Sequence, residues 1–410
     1  MRGTPVLAAS LAALLLGSAA RGETGVGSWL AQDGASGDWG GLRRRAEAAG
    51  LAVEGGYQTD LLRNLGGEAQ GFAYAGTMEI SLDFDLGKIA GLEGTSFFIA
   101  AYWASGDDLS ATEIGNRIGV AQAFNGRTVG LAQMYLEQTL FEGRLAVALG
   151  RLSAGNDFAT SDLYASYVST GVNENPFAMA ANLPSLTADP VAQWGVRAIL
   201  RPSAQIRLAA GAYNTDPDVF KDGRHGVDFT LDPQDGVLAI AEAGYAWNQT
   251  ASAAGLPGSV TLGGYYDSSD FDPVAEAGDG QDGNHGFYLL LDQMLYREGG
   301  SRQGVTPWVA LTLAPDQQIN PIPFSAAGGL VYRGLPPGRD DDLSALAVYH
   351  GRFSDELEGQ NAETVIEANH RFQLTPWLYM TPDFQYVIRP DGRSDIDDAV
   401  VFGGEIGIAF

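Results

Sequence analysis

The chain has 410 residues, a formal net charge of -26, 55 glycines and no cysteine. Acidity on that scale excludes nucleic acid as a partner, because phosphates would be repelled, and the missing cysteines exclude a disulfide framework. A secreted chain of this kind must be held by a core, by lipid or by a closed hydrogen-bond ladder.

Export is written at the start. Residues 1–20, MRGTPVLAASLAALLLGSAA, combine an early Arg2, an apolar stretch from Val6 to Leu16 and the small residues Ser18, Ala19 and Ala20. That is the layout of a cleaved secretory signal, and the apolar stretch is shorter than the roughly 20 residues a helical span needs. Cleavage is expected near Ala20 or Gly22. Residues 21–52 then read as a Gly/Ser-rich lead-in and one short amphipathic helix in DWGGLRRRAEAAG (38–50), with Leu42, Ala46 and Ala49 on one face and Gly50 as its stop.

From residue 53 to 410 no further helix is expected and the pattern is alternation. In TMEISLDFDL (77–86), Met78, Ile80, Leu82, Phe84 and Leu86 share a face opposite Thr77, Glu79, Ser81, Asp83 and Asp85. The same two-sidedness recurs in QMYLEQTL (133–140), WGVRAILR (194–201), QIRLAAGAY (205–213), VLAIAEAGYAW (237–247) and VIEANHRFQL (365–374). It recurs again at the end, VVFGGEIGIAF (400–410), where Phe402, Ile406, Ile408 and Phe410 oppose Gly403, Glu405, Gly407 and Ala409. Between them lie Asp-rich stretches expected to be exposed loops: ASGDD, NTDPDVFKDGRHG, DSSDFDPVAEAGDGQDGNHG and RPDGRSDIDD.

A soluble sandwich would carry a wet face thick with Lys and Thr. Here the polar faces mix both charge signs with Gly and Ala, and Tyr and Trp sit near strand ends as in the girdles of outer-membrane barrels. No run of 18 apolar residues follows the leader, and in lipid only a closed barrel satisfies every backbone group of a strand. About 355 residues at roughly 22 per strand and loop predict a 16-stranded antiparallel transmembrane β-barrel with a short periplasmic helix before it. A barrel that wide holds an aqueous channel. Its last strand must close on its first, which explains an apolar, ordered C-terminus.

Four segments carry a family resemblance: GDWGGLRRRAEAAGL (37–51), GRLSAGNDFATS (150–161), GLVYRGLPPGRDDDLSALAV (329–348) and ETVIEANHRFQLTPWLYMTPDFQYVIRPDG (363–392). Their sequence and order resemble the carbohydrate-selective porins of the OprB type. The resemblance implies a sixteen-stranded outer-membrane barrel, trimeric as porins usually are, that passes mono- and oligosaccharides by passive diffusion. It also implies a periplasmic position for the N-terminal helix. The final Phe410 resembles the bacterial outer-membrane assembly signal, which would make the assembly machinery a partner beside the membrane lipids.

A sugar needs donors and acceptors around a constriction, which Arg and Glu supply. Parity places Glu137, Arg197, Arg207, Glu242, Glu367 and Arg371 in the lumen as a mixed-charge constriction, Arg facing Glu across the channel. The alternative is that they pair with each other and stiffen the barrel. Trp103, in SFFIAAYW, is an aromatic rail or a girdle residue, its face undecided. Arg151 breaks the lipid parity of Leu145, Val147 and Leu149, so it is expected at the membrane edge or past a bulge, paired with Asp157.

No enzyme is expected: His225 and His285 read as loop residues, His370 falls on the lipid face, and no Ser occupies a nucleophile elbow. No cofactor or metal site is expected either, because the acidic stretches lack calcium-loop spacing. The reading is therefore a passive sugar porin, with a general or cation-preferring diffusion porin as the alternative and a plugged structural barrel as a third.

Overall fold

The computed structural model describes residues 26–410 apart from 218, 220–222, 233, 251–252, 277 and 300; the leader expected at 1–20 lies outside the described residues. Seventeen antiparallel strands form one continuous sheet. They are β1 Leu51–Gly67, β2 Phe72–Asp85, β3 Thr95–Gly106, β4 Thr128–Leu140, β5 Leu145–Leu152, β6 Gln193–Leu200, β7 Ile206–Asn214, β8 Val237–Trp247, β9 Gly258–Phe271, β10 Gln281–Gln293, β11 Tyr296–Arg297, β12 Gly304–Leu313, β13 Phe324–Arg333, β14 Leu343–Arg352, β15 Ala362–Thr375, β16 Leu378–Ile388 and β17 Asp397–Ala409. Because β10 pairs directly with β12, the two-residue β11 is only an edge extension and sixteen staves make the wall.

The sheet closes on itself. Strand β17 lies against β1 from Gly56 opposite Ala409 to Gly67 opposite Asp397, so the first and last staves pair with each other and leave no open seam. The Arg43 guanidinium straddles this seam, donating to the Phe410 carbonyl at 3.0 Å and the Val53 carbonyl at 2.9 Å. The Ala35 amide donates to Ala409 at 2.9 Å, and Trp29 packs its ring 4.6 Å from Trp377. The N-terminal helix, Leu42–Ala48, is therefore a clip at the barrel end where the chain terminates.

Alternation sets the two faces of the wall. Leu136, Leu149, Leu262, Phe287, Val309, Leu346, Phe384 and Phe402 all stand exposed on the outside. A continuous apolar band of this kind far exceeds the patch a water-soluble monomer tolerates and calls for hydrocarbon around it. Register settles Trp103: its cross-strand partners are Met78 and Val129, and Val129 is exposed on the outer face, so Trp103 faces outward as well.

Three expectations are corrected. Arg151 does not pair with Asp157; it donates to the Asp228 carbonyl at 2.8 Å and to the Ala192 carbonyl. Asp157 pairs instead with Arg197 at 2.8 Å, because both side chains point into the lumen while Arg151 sits where β5 ends. His285 is not a loop residue: β9 and β10 run on into the expected loop and shorten it to residues 272–280. Short helices also occur after residue 53, at Leu86–Ala90, Ala154–Asp157 and Phe177–Asn182. They are single turns stabilised by packing, too short to leave a periodic trace.

Where Arg151 sits, the wall has a gap. β4 begins at Thr128 but finds β5 only from Met134 onward, since the chain leaves the wall after Leu152 and returns at Gln193. The segment 224–231 covers the opening. His225 accepts from the Leu131 amide at 2.9 Å, and Phe229 accepts from the Trp194 indole at 3.2 Å. Val227, Phe229 and Leu231 alternate outward and are exposed, which continues the apolar band across a stretch with no stave.

Candidate functional site in the lumen

Two segments that leave the wall fill much of the barrel: residues 107–127, between β3 and β4, and residues 153–192, between β5 and β6. The longer one is apolar enough to need cover. Phe158, Tyr167, Val168, Val172, Met179 and Leu183 are buried, and their partners are lumen-facing wall residues such as Tyr213, Ile240, Tyr288, Trp308 and Tyr349. Much of the aromatic content therefore lies inside the barrel and forms a core there. Opposite glycines make the room. Tyr288 faces Gly263 across strands, and a Cβ at Gly263 would come within 2.1 Å of the Tyr288 ring.

An irregular chain brings unpaired backbone N–H groups with it, and buried ones need acceptors. Wall carboxylates supply them. Glu367 accepts from the Val168 amide at 2.7 Å and the Tyr349 hydroxyl at 2.8 Å. Glu363 accepts from the amides of Arg117 at 2.8 Å and Ile118 at 2.6 Å. Asp60 and Glu242 each accept at 3.0 Å, from Ala123 and Ala159 respectively. Each of these bonds spares a buried donor the roughly 1–3 kcal/mol that going unpaired would cost.

All six residues singled out from the sequence face the lumen, in two roles. Arg197 bridges Glu137 at 2.7 Å and Asp157 at 2.8 Å. Arg207 pairs with Glu242 and donates to the Asp157 carbonyl at 2.7 Å. These ion pairs run along the wall between nearby staves, and with Glu367 they clamp the inward segment. Arg371 lines an open space. It donates to Glu405 at 3.1 Å, to the Ala165 carbonyl at 2.7 Å and to the Thr381 hydroxyl at 3.3 Å.

That space is a cavity of about 560 Å³ between β1, β2, β15, β16, β17 and the two inward segments. Gln58, Gln122, Asn125, Gln373 and Tyr379 line it with Arg371, and Glu79, Glu174 and Asp189 form an acidic side. Burial, with the Asp189 charge adding to it, pushes the Glu174 carboxyl up to about 7; burial also raises Asp189. Strand parity already placed Glu79 and Glu405 on a polar face. Glu174, Asp189, Gln122 and Asn125 belong to no strand, so no periodicity could have found them.

A closed sixteen-stave wall with an apolar exterior, narrowed from within by loops that leave a polar cavity, is an outer-membrane porin: a channel. The chain belongs to the carbohydrate-selective porin, OprB family, whose model matches residues 69–410. It is similar to Porin B of Pseudomonas aeruginosa, 26% identical across 98% of this chain and 96% of that protein. Its fold matches a high-pH structure of OprB from Pseudomonas putida with a TM-score of 0.85, at 24% identity over 93% of this chain and 99% of that one. A low-pH structure of the same protein gives 0.64 at 22% identity, with the same coverage.

Proposed function

We propose that neutral mono- and oligosaccharides cross the outer membrane through the 560 Å³ cavity, and that Arg371 is the residue that touches them. The observation that carries this is the state of its guanidinium. Of five N–H donors, the Nε donor and the two on Nη2 go to Thr381, Glu405 and Ala165, while Nη1 has no partner among the described residues. A pair of fixed donors in a polar cavity suits adjacent hydroxyls of a sugar ring. Amide side chains at Gln58, Gln122 and Asn125 offer further neutral contacts. Arg197, Arg207, Glu137, Glu242 and Glu367 act on the solute only through the inward segment they hold.

The test is block of ionic current by maltose or glucose in planar bilayers. Arg371→Ala should lose most of the block, and an unchanged block would remove Arg371 from the pathway. A second reading has its own support: Glu79, Glu174 and Asp189 outnumber the single cation at the cavity, which favours a cation-preferring diffusion pore. Reversal potentials in a salt gradient separate the two, since strong cation preference without sugar block would favour it.

Around this function we place a leader removed near Ala20 or Gly22, a homotrimer in the membrane and assembly through recognition of the strand ending in Phe410. Mass spectrometry of the mature N-terminus, native gels, and Phe410 deletion followed by outer-membrane recovery check these in turn.

A further inference from the structure

We propose that Tyr379, seated flat on Gly407, is a positioning residue for sugar passage: its ring fixes the plane of the Arg371 guanidinium so that Nη1 always presents to the cavity. The inference rests on the reading of Arg371 given above.

The stack is built from the wall outward. Tyr379 on β16 lies directly opposite Gly407 on β17. A Cβ at 407 would sit 2.1 Å from two atoms of the tyrosine ring, so only glycine lets the ring lie down on the backbone. On the ring's other side is Arg371, its guanidinium carbon 4.0 Å from the ring centroid. The plane is thus set by the aromatic face, as cation–π attraction and stacking prefer for arginine.

Rotation within that plane is set separately. Thr381 takes Nε, and Glu405 and Ala165 take Nη2, at 3.3, 3.1 and 2.7 Å. These acceptors come from β16, β17 and the inward segment. Together they leave one orientation, with Nη1 on the open side. Arg197 and Arg207 lack such a seat. Nη1 of Arg197 is buried with no partner, and Nη1 of Arg207 is spent on Glu242. A long, flexible side chain held this way loses little freedom when a solute arrives, and that pre-organisation is what the tyrosine contributes.

The experiment measures the maltose concentration that halves potassium current through the full barrel, beside the current without sugar. Tyr379→Phe keeps the face and should stay within about twofold of the unsubstituted protein. Tyr379→Leu removes the face and should raise the half-blocking concentration about tenfold, the worth of a desolvated cation–π contact. Potassium current alone should change less than about twofold, a split that mere loosening of the barrel would not produce. Should Tyr379→Leu fail to form channels, Tyr379→Met carries the same comparison. A leucine or methionine variant blocked like the unsubstituted protein, while Arg371→Ala is not, would overturn the role of Tyr379 and leave Arg371 standing. If Arg371→Ala is blocked normally, or the unsubstituted protein is not blocked at all, the reading of Arg371 falls first and this proposal with it.

Discussion

Glu174 carries a cavity carboxyl that mild changes of pH should switch. Its carboxyl is raised to about 7 by burial and by Asp189, so it is neutral in mildly acidic medium and an anion in mildly alkaline medium. Cation preference should therefore rise as pH climbs through about 7, and Glu174→Gln should flatten that rise; reversal potentials at pH 5 and 9 give the answer. Glu367 makes a different case. It is wholly buried and accepts from Val168 and Tyr349. Replacing it with Gln puts an amide N–H where an acceptor is needed, and an unsatisfied buried donor costs about 1–3 kcal/mol. Much of that loss should fall on the packing of residues 153–192, so Glu367→Gln is expected to give larger, noisier single-channel currents. A quiet channel of unchanged conductance would show that the segment holds without it.

Elements differ in how plainly they were written. The staves were legible because lipid outside and water or packed loop inside enforce a period of two over long stretches, as in residues 77–86. The last strand was legible for the same reason, Phe402 outward and Glu405 inward. The inward segments were not, since their shape comes from wall carboxylates that capture scattered amides, a pairing between residues as distant as Glu367 and Val168. Parity also could not say that Arg197 and Glu242 would end up under a loop; it names a face, never what covers that face. The cover over the wall gap was hidden too. Alternation in VDFTL (227–231) is there, but it directly follows the stretch read as loop (214–226) and is too short to be read as a stave. If that cover depends on Arg151, then Arg151→Ala should make residues 224–231 sensitive to limited proteolysis in detergent while the rest of the barrel resists. Equal resistance would mean that the His225 and Trp194 contacts suffice.

At the scale of the whole molecule, one chain builds two nested structures. The outer is a closed ladder with an apolar skin; the inner is a packed plug of loop that leaves a polar cavity along β1, β2, β15, β16 and β17. The seam between first and last strands borders that cavity, and the N-terminal clip at Arg43 holds it. On the pathway proposed above, sugar passage depends on the inner structure, while membrane residence depends on the outer. The absence of any native cysteine makes the division directly measurable. Asn125→Cys places a thiol in the cavity and Leu149→Cys places one on the outer skin. The decisive measurement is maltose flux into proteoliposomes before and after a charged thiol reagent is attached. Modified Asn125→Cys should lose most of its flux and modified Leu149→Cys should keep its own, whereas full maltose flux through a completely modified Asn125→Cys barrel would contradict the pathway described here.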